Sequence, residues 1–245
     1  MNHPEGPFTA VVTGGSAGIG LQLCQDMLDA GWKVVSVARR ETPIDHPDLT
    51  SVCADLLDTK ETQDAAADIA ANHDVTHIVH NAGLVWPNLM PEVKPEDMAG
   101  LTHIHLTAPL ILTQAVLPGM KEQQFGRIVF VTSRASMGVP TRTAYSATKA
   151  GVHGMARTWA LEMAPEGITV NVVAPGPILT DNFWGIIPKG SEREQKLADN
   201  LPVRRIGVSE DVTRAVMFFA DPAASFVTGQ VLFVCGGASL GGISL

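Results

Sequence analysis

Cysteine is scarce in this sequence, and the residues present form no disulfide or metal framework. The three cysteines, Cys24, Cys53 and Cys235, lie far apart among apolar neighbours, and no two of them form a C-x-x-C pair. The eight histidines contain no H-E-x-x-H motif. We therefore expect no metal site, and we expect the cysteines to be buried thiols in a reducing cytoplasm.

Basic residues and long apolar runs are also in short supply. The chain has 17 Lys and Arg against 25 Asp and Glu, a net charge of -8, so its field repels polyanions. The N-terminus lacks the features of a secretion signal, and no apolar stretch approaches the about 18 residues that a membrane span needs. No G-x-S-x-G elbow of a serine hydrolase follows a strand. Nucleic acid and membranes are not expected partners, and we expect a cytoplasmic location.

What is present points to one α/β domain. Hydrophobic residues make up 45% of the 245 residues and charged residues 17%, a balance that favours a folded core. Short β-branched runs alternate with helical segments, and most runs are apolar throughout, as in a parallel sheet covered on both faces. We predict a single domain over residues 1–245, with strands at 9–13, 33–38, 50–54, 77–80, 127–132, 169–173 and 231–234, and helices at 19–30, 59–72, 95–120, 144–164 and 209–220.

One long segment has neither a predicted strand nor a predicted helix. It runs from Pro175 to Gly207, and such segments inside a compact domain usually cover a functional site. We interpret residues 176–207 as a substrate lid. Its apolar candidates and those of neighbouring loops are Phe183, Trp184, Ile186, Ile187, Val85, Trp86, Met90 and Met137.

The first predicted strand ends in a glycine-rich turn. Residues 13–20 read T-G-G-S-A-G-I-G and lead directly into a predicted helix. Glycines at such a turn let the backbone approach a pyrophosphate, and a helix N-terminus offers free N–H groups. A purely steric role for the glycines is the alternative interpretation.

Further motifs make the chain resemble the short-chain dehydrogenase/reductase family. They are the T-G-x-x-x-G-x-G turn, the sequence H-N-A-G at 80–83, Y-S-A-T-K at 145–149, P-G-P-I-L-T at 175–180 and the closing segment 229–237. The likeness covers about residues 8–237 in the right order. It implies a doubly wound Rossmann-type parallel sheet of about seven strands, with helices on both faces and a nicotinamide dinucleotide as cofactor.

The end of the second predicted strand favours NADP over NAD. The chain reads Ala38-Arg39-Arg40 where relatives that prefer NAD usually carry a carboxylate at the position of Ala38. Guanidinium groups can bind a 2′-phosphate with paired hydrogen bonds, although both arginines could simply solvate a loop. The resemblance also brings Asp55 near the adenine, unless Asp55 caps the following helix. The cofactor-binding residues that it implies are Gly14, Ser16, Gly18, Ile19, Gly20, Arg39, Arg40, Asp55, Leu56, Asn81, Ala82, Gly83, Tyr145, Lys149, Pro175, Gly176, Ile178 and Thr180.

Tyr145 and Lys149 form the predicted catalytic pair. They are four residues apart on a predicted helix and so share a face, and Tyr145 is the single tyrosine of the chain. To exchange a proton with an alkoxide at neutral pH, the pKa of a phenol must fall by about 3 from its usual 10. One ammonium within about 4 Å supplies roughly that effect, so we expect Lys149 to lower the pKa of Tyr145. An ordinary surface Tyr–Lys pair is the alternative.

A hydroxyl should complete the pair by polarising the substrate carbonyl. Ser133 ends the fifth predicted strand, 12 residues before Tyr145, one fewer than in many members of the family. Ser136 is the competing candidate, but its place inside the loop would hold it less rigidly.

The fourth catalytic position departs from the family. His105 stands where relatives usually carry an asparagine, whose main-chain carbonyl holds a water that links the lysine to solvent. Pro109 has no N–H to bond the carbonyl of His105, so we predict that this carbonyl is free and binds the relay water. The imidazole is then a spare proton carrier or a packed side chain. An ordinary proline kink beside a core histidine is the alternative.

The resemblance implies an NADP(H)-dependent oxidoreductase that interconverts a ketone and a secondary alcohol. The apolar loop residues favour a hydrophobic or cyclic small-molecule substrate. Basic lid residues leave room for an acidic substrate or an acyl carrier, as in 3-oxoacyl-carrier-protein reductases: Lys189, Arg193, Arg204 and Arg205. A catalytically silent dinucleotide-binding regulator is a further alternative. Related enzymes assemble as homodimers or homotetramers, and the apolar terminus at 243–245 is compatible with burial against another copy.

Overall fold

A seven-stranded, all-parallel sheet forms the centre of the protein in the computed structural model, which describes residues 7–185 and 187–240. The strands lie in the order β3-β2-β1-β4-β5-β6-β7. Their bounds are β1 Thr9–Thr13, β2 Lys33–Ala38, β3 Leu49–Cys53, β4 His77–His80, β5 Gly126–Val131, β6 Ile168–Pro175 and β7 Val231–Val234. The predicted fold class is confirmed, and most strand ends lie within two residues of those predicted.

Both faces of the sheet are buried because its inner strands are apolar at successive positions. In β1, Val11 packs into the core on one face, while Ala10 and Val12 pack into the core on the other. The edge strand β3 is the exception, with Thr50, Ser51 and Cys53 exposed. Cys53 is therefore not the buried thiol that the sequence predicted, whereas Cys24 and Cys235 are buried and free.

The helices cover the two faces as predicted. They are α1 Gly18–Asp29, α2 Thr59–Asn72, α3 Pro95–Thr102, α4 Ala108–Glu122, α5 Thr143–Met163, α6 Asp181–Trp184, α7 Glu192–Asn200 and α8 Ser209–Ala220. Helices α2, α4 and α5 cover one face, and α1 and α8 cover the other. Because all the strands are parallel, their C-termini lie at one edge of the sheet.

The single helix predicted at 95–120 is wrong as drawn. A π-helical turn at His103–Thr107 separates α3 from α4, and the N–H of Ala108 donates to the carbonyl of His103. Pro109, at the start of α4, cannot supply the N–H that a regular α-helical turn would require there. A proline kink was one of the alternatives that the sequence left open. The structure instead has a wider, π-helical turn immediately before the proline.

The combined stretch Pro95–Glu122 is, among the described residues, the one helical segment long and apolar enough to match a membrane span, with a mean hydropathy of 1.2. Leu101, Leu112 and Met120 on this stretch are fully buried against the sheet and neighbouring helices. Its apolar composition is accounted for by this place in the core.

The lid segment contains two helices that the sequence did not predict. The longer, α7, begins after Ser191, whose side chain accepts a hydrogen bond from the N–H of Glu194. A serine followed by acidic residues at the first turn is a recognisable start signal, but the low apolar content of α7 hid the helical pattern. The lid candidate Ile186 and the terminal residues 243–245 lie outside the described residues.

Candidate active site

A cavity of about 750 Å³ opens at the C-terminal edge of the sheet, where β1 and β4 lie side by side. The connections from these strands leave in opposite directions, which is where open α/β sheets bind ligands. The cavity is lined by Ser133 and by every predicted cofactor-binding residue except Gly20: Gly14, Ser16, Gly18, Ile19, Arg39, Arg40, Asp55, Leu56, Asn81, Ala82, Gly83, Tyr145, Lys149, Pro175, Gly176, Ile178 and Thr180. Residues from seven separate segments thus meet at one site.

The glycine-rich turn fits a bound diphosphate. Gly14 has φ +73°, and a Cβ there would lie 3.0 to 3.2 Å from atoms of Asn81 and Ala82, so a side chain at this position would be strained. Ala17, which precedes α1, offers no capping side chain, and the first turn of α1 contains no acidic residue. The N–H groups of this turn are therefore available to an anion.

Gly20 has a different position from the other glycines of the motif. A Cβ on Gly20 would lie 2.2 Å from the carbonyl oxygen of Gly14 and 2.6 Å from Nδ2 of Asn81. Gly20 therefore faces the junction between α1 and the turn instead of the cavity. Its small size allows the helix to pack closely on the strand ends.

A hydrogen-bond network that the sequence did not reveal holds β1 to β4. The Thr13 hydroxyl accepts from the N–H groups of Asn81 and Ala82, each at 3.0 Å. Nδ2 of Asn81 donates to the carbonyl of Thr13 at 3.1 Å. These bonds fix the backbone of the H-N-A-G segment against the glycine-rich turn.

The two arginines after β2 are exposed at the rim of the cavity, next to the buried Ala38. Within the part of the chain that the structure describes, neither Arg39 nor Arg40 forms an ion pair with a carboxylate. Asp55 also lines the cavity, and its carboxylate accepts from the N–H of Leu57 at 3.0 Å. The cap of α2 is Asp58, which accepts from Glu61, so the alternative that Asp55 caps the helix is wrong.

Tyr145 and Lys149 lie on the same side of α5 and line the same cavity. Lys149 Nζ lies 5.7 Å from the centre of the Tyr145 ring and donates to the carbonyl of Val131 at 3.0 Å. Burial lowers the pKa of Lys149 to about 8. A lysine with this pKa changes its charge near physiological pH.

The expected effect of Lys149 on Tyr145 is not found. Burial raises the pKa of Tyr145, and the opposing influences are the nearby Ser133 hydroxyl and then the charge of Arg142. The ammonium of Lys149 lies beside the ring and is directed to a main-chain carbonyl. Arg142, which precedes Tyr145 by one helical turn, is thus a residue that the sequence reasoning missed.

The two candidate serines differ in their surroundings. Ser133 lines the cavity, and its hydroxyl oxygen accepts from the N–H of Ala135 at 3.0 Å, which leaves its hydrogen free to donate. The hydroxyl of Ser136 is buried without a hydrogen-bond partner among the described residues and lies outside the cavity lining. The geometry favours Ser133.

His105 lies behind the cavity wall and not on its surface. Its imidazole is buried, and its ring packs edge-on against that of Tyr145, with ring centres 5.5 Å apart. Burial, followed by the charge of Lys149, lowers the pKa of His105 to about 2. The imidazole is therefore neutral at all ordinary pH values, which argues against its role as a spare proton carrier.

The loops on the substrate side are only partly as predicted. Val85 lines the cavity, but Trp86 packs against Gly100 of α3, where a Cβ would lie 2.8 Å from its ring. In the lid, Phe183 and Trp184 contact each other edge to face. Arg205 forms a paired ion pair with Asp211, so this basic residue is already neutralised within the chain.

The protein has a parallel sheet with a cavity at its C-terminal edge, and a glycine-rich turn and a Tyr–Lys pair line that cavity. This arrangement defines the class of Rossmann-type dinucleotide-dependent oxidoreductases. The sequence profile of the short chain dehydrogenase family matches residues 8–189. The chain belongs to this family.

Comparison with individual relatives gives a consistent result. The chain is 34% identical to the 3-oxoacyl-[acyl-carrier-protein] reductase FabG of Haemophilus influenzae, over 94% of this chain and 98% of that protein. It is 40% identical to the (2S)-[(R)-hydroxy(phenyl)methyl]succinyl-CoA dehydrogenase subunit BbsD of Thauera aromatica, over 66% of this chain and 64% of that protein, so it spans less than two thirds of that relative. A solved structure described as a candidate NAD(P) dependent gluconate 5-dehydrogenase from Beutenbergia cavernae, with NADP bound at low occupancy, superimposes with a TM-score of 0.88 at 32% identity, covering 95% of this chain and 96% of that one.

Proposed function

We propose that this protein is an NADP(H)-dependent oxidoreductase that interconverts a ketone and a secondary alcohol. The observation that carries the proposal is the convergence of Ser133, Tyr145 and Lys149 on the cavity that also contains the glycine-rich turn. A hydroxyl donor, a phenol and an ammonium beside a dinucleotide site are the groups that carbonyl reduction needs.

The residues present fit NADP. A side chain at Gly14 would be strained, the N-terminus of α1 is open, and Arg39 and Arg40 carry two positive charges to the end of β2. We assign the diphosphate to the turn at 14–19 and the 2′-phosphate to the two arginines. Asp55 and Leu56 would lie against the adenine, while Asn81 to Gly83, Lys149 and Pro175 to Thr180 would hold the ribose and nicotinamide. When bound, NADP supplies or accepts the hydride.

The chain's own residues handle the substrate oxygen and its proton. The Ser133 hydroxyl, whose hydrogen is free, donates to the carbonyl oxygen and polarises it. Because burial raises the pKa of Tyr145, its phenol is protonated at neutral pH and can donate a proton to the forming alkoxide. The charge of Arg142 and the Ser133 hydroxyl limit that rise. In the oxidative direction the phenolate is required, so alcohol oxidation should accelerate as pH increases.

A hydrophobic or cyclic ketone is our first choice of substrate class, because Val85 and Ile104 line the cavity beside the catalytic groups. The second choice is an acyl-carrier-bound 3-oxoacyl group, which the likeness to FabG favours. Lid residues Lys189, Arg193 and Arg204 could meet an acidic carrier, whereas Arg205 is held by Asp211. We further propose a cytoplasmic homodimer or homotetramer that binds neither nucleic acid nor membranes.

The test is a spectrophotometric assay at 340 nm. NADPH and NADH are each offered with groups of aliphatic, alicyclic and aromatic ketones, 3-oxoacyl thioesters and 3-oxoacyl carrier protein. We expect NADPH consumption that depends on the ketone and is abolished in Tyr145→Phe. Binding of NADPH without consumption across all groups, unchanged in Tyr145→Phe, would instead support a catalytically silent regulator.

A further inference from the structure

The imidazole of His105 has a partner on one side and none on the other. Nδ1 lies 2.9 Å from the hydroxyl oxygen of Thr148, whereas Nε2 is buried and has no hydrogen-bond partner among the described residues. Buried polar atoms are almost always paired in folded proteins, so an unpaired one marks a place where a further group binds.

The bonds of Thr148 determine which nitrogen of His105 carries the hydrogen. The Thr148 hydroxyl oxygen lies 3.0 Å from the carbonyl oxygen of Ala144 and 3.1 Å from that of Tyr145. A carbonyl can only accept, so the single hydroxyl hydrogen is directed to these carbonyls, and Thr148 accepts from Nδ1–H of His105. The hydrogen-bond network thus assigns the Nδ1–H tautomer, which leaves a lone pair on Nε2.

This lone pair borders the same space as the ammonium of Lys149. A Cβ placed on Gly83 would lie 2.9 Å from Nε2 of His105 and 3.4 Å from Nζ of Lys149. The absence of a side chain at Gly83 therefore keeps open a small space between the two nitrogens. Lys149 has three N–H donors, and Val131 is the protein acceptor found for them in the described part of the chain.

The charges around His105 require it to act as an acceptor. The titratable groups packed against it, Lys149 and Tyr145, both come from α5, and the Lys149 charge disfavours protonation of the imidazole. His153, one turn beyond Lys149, hydrogen-bonds Thr132, and burial, followed by the charges of Arg157 and Lys149, lowers the pKa of its imidazole. A neutral imidazole beside a buried ammonium stabilises the ammonium by accepting from it.

We propose that His105 is a positioning residue for Lys149: Nε2 accepts a hydrogen bond from a water that the ammonium also binds, in the space beside Gly83. This inference rests on the proposed function. It gives the imidazole a role of its own, whereas the sequence-based prediction gave the main-chain carbonyl of His105 the binding of a relay water. Together with the carbonyl of Val131, Nε2 fixes the direction of the ammonium and helps to keep it charged beside Tyr145.

The first test measures the tautomer without any turnover. Long-range ¹H–¹⁵N spectra of the histidine side chains, with His105 assigned by its loss in His105→Gln, should show protonated Nδ1 and unprotonated Nε2 from pH 8 down to pH 5. Thr148→Val should lose this preference, and Thr148→Ser should keep it. An Nε2–H tautomer, or protonation of His105 near pH 6.5, would overturn the proposal.

The second test measures the pKa of the Lys149 ammonium and the pH dependence of kcat. In His105→Leu, the Lys149 side-chain resonance should titrate about one pH unit lower, and the alkaline limb of kcat should move by the same amount, because an acceptor for the charged form is lost. We expect kcat to fall about tenfold or more while KM for the ketone stays nearly constant, and His105→Gln to restore most of the loss.

The control is His103→Leu, which replaces a histidine on the same π-helical turn. It should leave the Lys149 titration and the alkaline limb of kcat unchanged. Thermal unfolding checks that each variant is folded. If His105→Leu does not fold, Thr148→Val is used in its place. A Lys149 titration that is the same in His105→Leu and in the unmodified protein would overturn the proposal. Failure of the unmodified protein to turn over any substrate would overturn the proposed function, and the two spectroscopic titrations would still decide the role of His105.

Discussion

The ammonium of Lys149 donates to the main-chain carbonyl of Val131, the last residue of β5, at 3.0 Å. This bond connects α5 to the strand that precedes Ser133. It therefore fixes the position of Tyr145, the proposed proton donor, relative to Ser133, the proposed carbonyl-binding hydroxyl. It also anchors a buried cation whose charge depends on the pH of the medium.

Ketone reduction should therefore lose activity above neutral pH. Burial lowers the pKa of Lys149 to about 8, so the charged form predominates below pH 8 and disappears as pH rises through it. We expect kcat at saturating NADPH to have an alkaline limb near pH 8. In Lys149→Arg the guanidinium stays charged, and any remaining activity should keep its value beyond that pH. An identical limb in both proteins would show that another group titrates.

Removing the two arginines after β2 should weaken NADPH binding selectively. In the double variant Arg39→Ala/Arg40→Ala, we expect the Kd for NADPH to rise about 10- to 100-fold, since charge-assisted hydrogen bonds to a phosphate are lost. The Kd for NADH should change little. Arg214→Ala removes an exposed arginine from α8 and serves as the control for net charge. Equal losses for the two nucleotides would contradict the assignment of the 2′-phosphate to these residues.

A methyl group at Gly20 should disturb the junction between α1 and the glycine-rich turn. Because the added Cβ would lie 2.2 Å from the carbonyl oxygen of Gly14, the backbone must shift. We expect Gly20→Ala to lower the free energy of unfolding by about 3 kcal/mol and to weaken nucleotide binding. Gly119 of α4 is the matched position, since a Cβ there would meet only a side-chain amide at 4.0 Å. Gly119→Ala should leave binding unchanged and stabilise the protein by about 0.5–1 kcal/mol.

Acid should destabilise the protein below about pH 6.5 through its buried histidines. Burial lowers the pKa of both His77 and His80 to about 3, from an ordinary value of 6.5. Between these values the unfolded chain binds protons that the folded chain does not, so stability falls as pH falls, by about 1.4 kcal/mol per pH unit for each histidine.

His80→Asn tests this linkage, because it removes one of the titrating groups while a polar side chain remains to meet Thr113. Urea unfolding at pH 7, 6, 5 and 4 should show a slope shallower by about 1.4 kcal/mol per pH unit in the variant. If the two slopes coincide, His80 is not neutral in the folded protein.

The fold could be predicted almost completely from local patterns. The apolar runs that became β1, β2 and β4 are buried on both faces, and this is a property of the residues themselves. The residues that line the cavity could be predicted as well, because the glycine-rich turn follows a strand and precedes a helix and because the other family motifs contain the remaining residues. The lid helix α7 could not, since its sequence is polar on nearly every side and its start depends on a single serine cap.

The electrostatics of the site required the tertiary structure. Spacing alone puts Tyr145 and Lys149 on one helix face, but whether a charge lowers the pKa of the phenol depends on burial and on the direction of each side chain. The sequence also contains no sign that Trp86 packs on Gly100, or that Thr148, inside the Y-x-x-x-K motif, would hold an imidazole from another helix.

The sequence by itself determined the parallel sheet and the glycine-rich turn, because short-range periodicity and turn chemistry specify these features. It also identified the residues around the cavity, because the motifs that carry the family resemblance contain them. The tertiary structure decided that Nε2 of His105 faces the space beside Lys149 and that burial raises the pKa of Tyr145. Such relationships depend on distances between segments far apart in the chain, which only the packing of α4 and α5 against the sheet can set.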